Sequence, residues 1–451
     1  MRKKRQKQMT LIPTEIDHPQ ARELEAISRI LNSKPTIYEI VLQDLSSPYK
    51  SAKKSGARGM SAEQVIRAAI VKELFSFTYE ELAFHLVDSK SIRRFCRIGI
   101  ADKGFKKSVL HKNIKALSAE TWQAINEDVL GYAVDQNIEK GRQVRIDCTV
   151  VESNIHEPSD SSLLWDAVRV LTRMLLRAKE DFGLRQLRFK NHQRVAKRRM
   201  LAIQYAANSK ARKPLYKDLI KISRKCLGYA QSAIRLMEQS PSADGSMIKL
   251  SLDMKQIADL TEKVIRQTER RVMHGEQVSS KDKVVSLFEP HTDIIVKDRR
   301  ETFYGHKVCL TGGRSNLILD CLVVKGNPSD TTLTGTMLDR QHDLYGRYPL
   351  KAALDGGFAS KDNLKEAKSK KIKDVCFAKK RGIKEIDMCR SHYVYQKLRR
   401  FRAGIESGIS WLKRSFGFAR CTWKGLRSFK SYIWATIVSA NLLTIARKQL
   451  A

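Results

Sequence analysis

The chain has 451 residues, of which 42% are hydrophobic, and it carries a formal net charge of +37 because 85 lysines and arginines oppose 48 aspartates and glutamates. The hydrophobic content is that of a folded protein. No apolar run approaches the roughly 18 residues that a membrane span needs, so we expect no membrane association. So large a basic excess favours a polyanionic partner, with nucleic acid as the leading candidate.

Residues 1–58 are predicted to form a basic arm or linker with one short helix. They combine the basic stretch MRKKRQKQ with Pro13, Pro19 and Pro35 and with SSPYKSAKKSGARG, which is rich in serine, lysine and glycine. Proline and glycine interrupt regular structure, and such compositions are typical of linkers. The first compact domain is therefore expected to start after this segment.

Residues 59–138 are predicted to form a small all-helical domain. Ser61 followed by Gln64, and Thr78 followed by Glu81, have the spacing of capping boxes at helix starts. Apolar residues at helical spacing follow both of them. A packing of short helices suits a helix-turn-helix DNA-binding domain. A plain helical packing or dimerisation module fits the sequence equally well.

The stretch VRIDCTVVESNI, residues 144–155, alternates apolar and polar residues and predicts a strand. The alternation places Asp147 on the polar face together with Arg145 and Thr149. An isolated aspartate on such a face is most often a solvent-exposed residue. Whether Asp147 belongs to a cluster with acidic residues far along the chain is therefore open at this point.

Residues 160–280 are predicted to form a basic helical insertion after this strand, because apolar residues recur there at intervals of three and four. Its outer face includes RFKNHQRVAKRR, with hardly any acidic residue to offset the charge. A charged run is usually a solvated helix face, but so one-sided an excess favours contact with phosphates. Lys197, Arg198 and Arg199 are therefore possible DNA contacts.

After Lys281 the pattern alternates between strands and helices and predicts an α/β domain, residues 139–159 and 281–451, with a mixed sheet flanked by helices. One predicted strand, LKAALD, ends at Asp355 and is followed by Gly356 and Gly357, which let a backbone or a substrate approach closely. Ligands bind at the C-terminal ends of strands in open α/β sheets. Asp355 is therefore a candidate site residue.

Glu406 lies on a late predicted helix, in line with Arg402 four residues before it and Lys413 seven residues after it. Arg402 and Glu406 alone would form an ordinary ion pair. Together with Asp147 and Asp355, however, Glu406 completes a set of three carboxylates in a strongly basic protein. Carboxylates are the ligands that Mg²⁺ prefers, and two such ions activate the attacking oxygen and stabilise the leaving oxygen in phosphodiester chemistry.

Several further side chains are weaker candidates. Asp330 fits better as the N-cap of the helix that follows it. Lone histidines near strand ends are more often structural, and aromatic residues beside an apolar helical stripe are more often part of the core. The remaining candidates are Glu152, His156, His306, Asp320, Trp411 and Trp423, the two tryptophans as stacking platforms for a flipped base.

These motifs resemble the DDE transposases of bacterial insertion sequences, in particular the group with the signature Y-x2-R-x3-E-x6-K. Arg402, Glu406 and Lys413 match the signature, whereas Arg399 stands where the tyrosine belongs, and Tyr395 could replace that tyrosine. YGHKVCL, VVKGNPSDTTLTGTMLD and LDGGFAS resemble the family's second strand, its third strand with the following helix, and its second-aspartate segment. The resemblance covers most of residues 60–446 and is close to the ISNCY group.

The resemblance implies an RNase H-like catalytic fold in which Asp147, Asp355 and Glu406 together bind two Mg²⁺ ions, with Mn²⁺ as a substitute. It implies cleavage at the ends of the element by water, followed by attack of the freed 3′-hydroxyl on target DNA. The expected partners are double-stranded DNA and a second copy of the chain, forming a homodimer on the transposon ends. The expected location is the bacterial cytoplasm, at the nucleoid.

The resemblance also implies DNA contacts on the last helix. Arg402 and Lys413 would contact backbone phosphates near the cleaved end, and Arg399 is a possible DNA contact. Two other functions remain open from the sequence. An RNase H-like endonuclease without strand transfer would need the same carboxylates but neither the N-terminal helical domain nor the insertion. A catalytically inactive DNA-binding regulator would not need the three carboxylates that this chain has.

Overall fold

The computed structural model describes residues 4, 18–46, 59–99, 101–240, 244–297 and 301–451. The chain divides into two compact units, one formed by Met1–Ser153 with Gly305–Ala451 and the other by Asn154–Tyr304. The second unit extends beyond the predicted insertion, residues 160–280, at both ends. No helix within the described ranges is long and apolar enough to span a bilayer.

The first unit begins with helices whose starts the sequence marks clearly. They are α1 (Pro19–Ser33), α2 (Thr36–Ser46), α3 (Ala62–Leu74), α4 (Tyr79–Asp88), α5 (Lys90–Phe95), α6 (Lys107–Ile114) and α7 (Ala119–Asp135). The predicted capping boxes are confirmed. Ser61 accepts a hydrogen bond from the backbone N–H of Gln64 and donates its own N–H to the Gln64 side chain, and Thr78 and Glu81 exchange the same pair of bonds. Each box satisfies N–H groups that a first helical turn leaves without partners.

Residues 19–46 differ from the predicted arm, because they form α1 and α2 and pack into the helical core. Ile27, Ile30 and Val41 are fully buried. α1 packs against the C-terminal helix of the chain, and α2 packs against α3 and α7. Pro19 lies at the start of α1, where a backbone N–H would have no partner within the helix, so proline is tolerated there. The proline therefore marks a helix start rather than a linker.

Arg67 holds these helices together from inside the core. Its side chain is completely buried and donates to Glu63 Oε1 at 3.0 Å and to Tyr38 Oη at 3.1 Å. Further bonds reach Ser28 Oγ and Asn32 Oδ1, both at 2.9 Å. A buried charge is tolerated only when it is paired and hydrogen-bonded. The network therefore fixes α1, α2 and α3 relative to one another.

Six strands form a mixed sheet, in which β3, β1, β5 and β6 lie side by side in that order and both β2 and β4 pair with β3. They are β1 (Gln143–Glu152), β2 (Asp293–Lys297), β3 (Glu301–Gly312), β4 (Ile318–Val323), β5 (Lys351–Leu354) and β6 (Asp374–Phe377). β3 runs antiparallel to β1 and β4, and β5 runs parallel to β1 and β6. Glu152 and Gly305 are cross-strand partners, so the chain leaves this sheet and returns to it at neighbouring positions.

The second unit consists mainly of long helices with a hydrophobic core of their own. They are α8 (Asp160–Glu180), α9 (Gln193–Tyr205), α10 (Ser209–Glu238) and α11 (Gly245–Thr268), and a π-helical turn, Glu269–Met273, follows α11. Leu164, Leu219 and Val264 are fully buried in this core, where α8, α10 and α11 pack against one another. The long helices predicted for this part of the chain are thus present.

The helices of the C-terminal part are α12 (Thr334–Tyr345), α13 (Lys361–Ser369), α14 (Glu385–Met388), α15 (His392–Ser415) and α16 (Leu426–Leu450). α15 packs across β1, β5 and β6, whereas α12 contacts β4 and α13 contacts β6. The predicted mixed sheet flanked by helices is therefore confirmed. α16 joins the N-terminal helices to the sheet, because Asn441 accepts from Ile318 N at 2.9 Å and donates to Asn126 Oδ1 at 2.8 Å.

Replacing Arg67 with alanine should lower the free energy of unfolding by about 3 kcal/mol or more, because Glu63 and Tyr38 lose a buried partner. Urea unfolding followed by tryptophan fluorescence measures this, since four of the five tryptophans lie in the first unit. The control is Arg94→Ala, which removes an ion pair with Glu25 at 3.6 Å between side chains that are 39% and 48% exposed. That change should cost less than about 1 kcal/mol, and equal losses in the two variants would contradict the role of Arg67.

Candidate active site

Asp147 and Asp355 lie on neighbouring parallel strands. β1 and β5 pair with Ile146 opposite Leu354, so the next pair along the same register is Asp147 and Asp355. The backbone N–H of Asp355 donates to Ile146 O at 3.3 Å, which continues this register by one residue. Parallel pairing thus brings together two aspartates that are far apart in the sequence.

The face of β1 that carries Asp147 is covered by α15. Arg145, two residues earlier on the same face, donates through Nη1 to Phe401 O at 3.1 Å and through Nη2 to Asn316 Oδ1 at 2.6 Å. Its guanidinium lies so close to Gly404 that a Cβ there would be 2.0 Å from Nη1. Arg145 and Gly404 therefore hold α15 against β1 and set which residues of the helix face Asp147.

The positioning role of Arg145 was missed in the sequence. The strand pattern placed Arg145 on the polar face, yet the residue is only 5% exposed. The available signal was Gly404, a glycine in the middle of a helix, where it costs stability unless a close contact requires it. Nothing in the local pattern, however, pairs that glycine with an arginine so far away in the chain.

Arg402 contacts all three predicted carboxylates. Its Nη2 donates to Asp355 Oδ1 and lies 3.8 Å from Asp147 Oδ2, and its Nη1 donates to Glu406 Oε1 at 2.7 Å. The Asp147 side chain is 14% exposed, and that of Glu406 is 57% exposed. The structure therefore gathers the four residues around one positive charge, with Asp147 innermost and Glu406 at the rim.

The carboxyl group of Asp147 lies in a negative environment. Burial raises its pKa most, and the carboxylates of Asp355 and Glu406 raise it further. Arg402 lowers it, as does the backbone N–H of Cys148, which donates to Asp147 Oδ1 at 2.7 Å. The resulting pKa of Asp147 is about 6. One guanidinium thus offsets only part of the negative charge at this site.

A glycine turn follows Asp355 and is closely packed. The Asp355 carboxylate accepts a hydrogen bond from the N–H of Gly357 at 3.4 Å. A Cβ at Gly357 would lie 2.6 Å from Asp330 Oδ2, and one at Gly356 would lie 2.7 Å from Lys379 Cγ. Contacts within the protein therefore favour glycine at both positions. The sequence suggested a second reason, the close approach of a substrate.

Asp330 and Asp320 have structural partners. The predicted N-cap role of Asp330 is wrong, because Ser329 occupies the cap position of the 3-10 turn that begins there. Asp330 instead accepts a hydrogen bond from Lys307 Nζ at 2.9 Å. Asp320 is buried and accepts two hydrogen bonds of 2.6 Å from Arg340. Both carboxylates are thus neutralised by a neighbouring cation.

Three other weak candidates also have structural surroundings. Glu152 ends β1, where its backbone pairs with the loop between α15 and α16. His306 is buried and packs edge-to-face on Phe429, with ring centroids 4.8 Å apart. His156 lies in the second unit and shares a hydrogen bond of 2.8 Å with Asp166. In the described part of the chain, neither Glu152 nor His156 has a bond to the carboxylates around Arg402.

The expectation that Tyr395 replaces the missing tyrosine of the signature is wrong. Tyr395 does lie on α15, but it is 1% exposed and its hydroxyl donates to Phe377 O at 3.1 Å. Trp423 is buried as well, and Trp411 packs edge-to-face on Phe416 with ring centroids 4.9 Å apart. These aromatic residues are part of the core.

Arg399 and Lys413 lie on α15, about one turn before Arg402 and about two turns after Glu406. Arg399 is exposed and Lys413 is half-buried. Residues three, four and seven positions apart share one side of a helix. Two further basic residues therefore lie along the same side of α15 as the cluster.

Lys197, Arg198 and Arg199 lie on α9 in the second unit. Lys197 and Arg198 are exposed, and Arg199 forms an ion pair with Asp218 of α10. One of these three possible DNA contacts is thus neutralised within the protein.

The chemistry of the carboxylate cluster suits a divalent cation. Asp147, Asp355 and Glu406 supply the oxygen ligands that Mg²⁺ and Mn²⁺ bind. Burial is the main cause of the raised pKa of Asp147, and the carboxylates of Asp355 and Glu406 contribute to it. Among the described residues, however, no three acidic, histidine or cysteine side chains are already placed to hold a metal. Arg402 holds the same oxygens, so Arg402 and a cation would compete for them.

Replacing Asp147 with asparagine should stabilise the metal-free protein at neutral pH. The pKa of Asp147 is about 6 in the folded protein against an ordinary 3.8, so the stability that the protonated form contributes is lost as pH rises through 6. In EDTA at a pH of about 7.5, Asp147→Asn should gain about 2 to 3 kcal/mol. Urea unfolding measures this gain, which should vanish at a pH of about 4.

The matched control for that variant is Asp343→Asn, because the Asp343 side chain is 81% exposed. It should leave the free energy of unfolding within about 0.5 kcal/mol of the parent at both pH values. A gain for Asp147→Asn that persisted unchanged at acidic pH would show that charge crowding is not its cause.

Two family models match separate parts of the chain. A transposase DDE domain matches residues 290–442, which include Asp355, Arg402, Glu406 and Lys413. A second model, transposase domain (DUF772), matches residues 14–116, the region of the N-terminal helices. Comparisons with curated proteins and with solved structures found no match. With both transposase regions present in one polypeptide, the chain belongs to the DDE transposases of insertion sequences, which act in DNA transposition.

Proposed function

We propose that this transposase binds the ends of its insertion sequence, cleaves DNA phosphodiesters there with two divalent metal ions, and joins the freed 3′-hydroxyl ends to target DNA. The observation that supports this most directly is the convergence of Asp147, Asp355 and Glu406 on Arg402. The carboxylates come from one strand, the end of its parallel neighbour and a late helix. We propose an RNase H-like fold for this domain on the same grounds, and membership of the ISNCY group on the sequence resemblance alone.

Asp147, Asp355 and Glu406 would hold the two Mg²⁺ ions, for which Mn²⁺ could substitute. Bound metal would activate the attacking oxygen and stabilise the leaving oxygen of the phosphodiester. The protein's own contribution is to align these ligands. The parallel register of β1 and β5 fixes the two aspartates, and the contact of Arg145 with Gly404 fixes the helix that carries Glu406.

Arg402 has two sets of partners in this proposal. In the structure it contacts the three carboxylates and offsets part of their charge. Once those carboxylates hold cations, the guanidinium is available for a DNA phosphate, which its planar fork binds in a bidentate manner. Lys413 and Arg399 lie along the same side of α15 and would extend the phosphate contact.

We further propose that the protein works as a homodimer on double-stranded DNA in the bacterial cytoplasm, at the nucleoid. Two transposon ends must be handled together, and two copies supply two sets of carboxylates. The net charge of +37 supports a DNA partner. The N-terminal helices and the exposed basic residues Lys197 and Arg198 are further proposed DNA contacts.

Cleavage should fall by more than about 100-fold in each of the variants Asp147→Asn, Asp355→Asn and Glu406→Gln. Loss of a residue that only supports a metal ligand costs up to about 100-fold, so loss of a ligand itself should cost more. The substrate is a duplex that carries the inverted repeats flanking the gene, incubated with Mg²⁺. Affinity for the same duplex in EDTA should stay within about threefold of the parent, because no cation at these sites is then involved. Asp343→Asn, an exposed carboxylate change, should cleave normally.

The products of that assay separate the alternatives. Joining of 3′ ends to a second duplex supports the transposase. Cleavage without joining would support an endonuclease, and binding without cleavage in Mg²⁺ or Mn²⁺ would support an inactive regulator.

Arg402→Gln should bind Mn²⁺ about tenfold more tightly in the absence of DNA, because the metal no longer displaces a charge-assisted hydrogen-bond donor. Isothermal titration calorimetry measures this, and the same variant should lose affinity for the duplex in the presence of Mn²⁺. The control is Arg399→Gln, one turn away and exposed, which should bind Mn²⁺ as the parent does. An unchanged Mn²⁺ affinity in Arg402→Gln would exclude the competition.

A further inference from the structure

Helix α10 of the second unit presents a lysine at every fourth residue over about half of its length. The lysines are Lys213, Lys217, Lys221 and Lys225, and all four are exposed. Residues four apart are neighbours on one side of a helix, about 6 Å apart along its axis. The four ammonium groups therefore form one row about 18 Å long, which we name the lysine track.

The track borders an open groove. Lys213, Lys217, Lys221 and Lys225 line it together with Arg224 and residues of the turn after α11, and the groove has a volume of about 840 Å³. A groove beside a row of cations gives an elongated anion a surface to lie along, rather than a single point of attachment.

The charge of this groove is not balanced from within the protein. Glu269 is the only carboxylate that lines it in the described structure, and both of its oxygens accept from Arg224, at 2.7 and 2.8 Å. The surrounding sequence is also strongly basic, since residues 185–225 contain 14 lysines and arginines and one acidic residue, Asp218. Asp218 is bound by Arg199. Within the part of the chain that the structure describes, no ion pair offsets the mutual repulsion of the track lysines.

Helix α11 provides a contrast within the same unit. Its exposed lysines, Lys249, Lys255 and Lys263, alternate with Asp253, Asp259 and Glu262. Charges of alternating sign are typical of an ordinary solvated helix face. The row on α10 lacks this alternation, so solvation alone is a weaker explanation for it.

The positive potential extends beyond α10. Burial lowers the pKa of His192, and Lys225 and Lys190 lower it further because a second positive charge is unfavourable beside them. Lys225 therefore lies near the basic segment before α9, on the same surface of this unit.

We propose that the lysine track binds the sugar-phosphate backbone of duplex DNA without reading its base sequence. The partner class rests on the proposed function, and the location rests on the spacing, groove and charge described above. Lysine ammonium groups act as point charges on phosphates, and phosphate contacts position a protein on DNA without carrying base-sequence information. The row is inclined to the helix axis, and its length of about 18 Å corresponds to roughly half a turn of duplex.

The test compares two variants of the full-length protein with the same loss of charge. The track variant carries Lys213→Gln, Lys217→Gln and Lys221→Gln, and the control carries Lys249→Gln, Lys255→Gln and Lys263→Gln on α11. Binding to a labelled duplex of arbitrary sequence, about three turns long, is measured by fluorescence anisotropy in EDTA. Salt is varied between roughly 50 and 200 mM, and unchanged circular dichroism verifies folding of both variants.

The track variant should bind at least about tenfold more weakly at low salt, and the slope of log K against log salt should fall by about 3, one unit per lost phosphate contact. The control should change the slope by less than about 1. Equal losses in the two variants would show an effect of net charge and overturn the proposal. An unchanged slope in the track variant would overturn it as well.

Two further arms make the outcome specific. A single strand of the same length should lose less affinity than the duplex in the track variant, and an equal or greater loss would overturn the assignment to duplex DNA. Asp147→Asn should keep the parent slope while losing cleavage. If the track variant loses affinity and slope as expected but the parent protein never cleaves DNA, the proposed function is refuted and the lysine track as a DNA-binding site is supported.

Discussion

The ion pairs of Arg402 with Asp147, Asp355 and Glu406 exist because three separate elements meet at the C-terminal end of β5. They can meet because α15 lies close to the sheet. The guanidinium of Arg145 packs against Gly404 of α15, where a side chain would not fit, and so sets this close approach. Arg145 and Arg402 thus have different roles at this site. One is buried and holds the backbone elements together, and the other lies at the opening and holds the charges.

The N-terminal helices belong to one compact unit with β1, β4, β5, β6 and most of β3. α16 runs between them, and the amide of Asn441 binds both the helical side, at Asn126, and the strand side, at Ile318. α16, most of which lies in the region matched by one transposase model, also packs against α1 and α3 in the region matched by the other.

Elements with a strong local pattern could be predicted from the sequence. The capping boxes, the strand with Asp147 and the helix with Glu406 are set by neighbours within a few residues. The arm prediction failed at α1 and α2 because prolines were weighed above apolar spacing, although Ile27 and Ile30 are buried. The position of Arg402 among three carboxylates, the burial of Tyr395 and the contact of Arg145 with Gly404 all depend on tertiary packing between distant segments, which periodicity does not encode.

The pairing of Glu152 with Gly305 means that the whole of Asn154–Tyr304 is bounded by two cross-strand neighbours. Gly305 packs so closely that a Cβ there would lie 2.0 Å from Val151 O. In topological terms the helical unit is a long insertion in the connection between two antiparallel strands. A short turn could join those strands in its place, so the catalytic sheet and the helical unit could be gained, exchanged or reshaped separately during evolution.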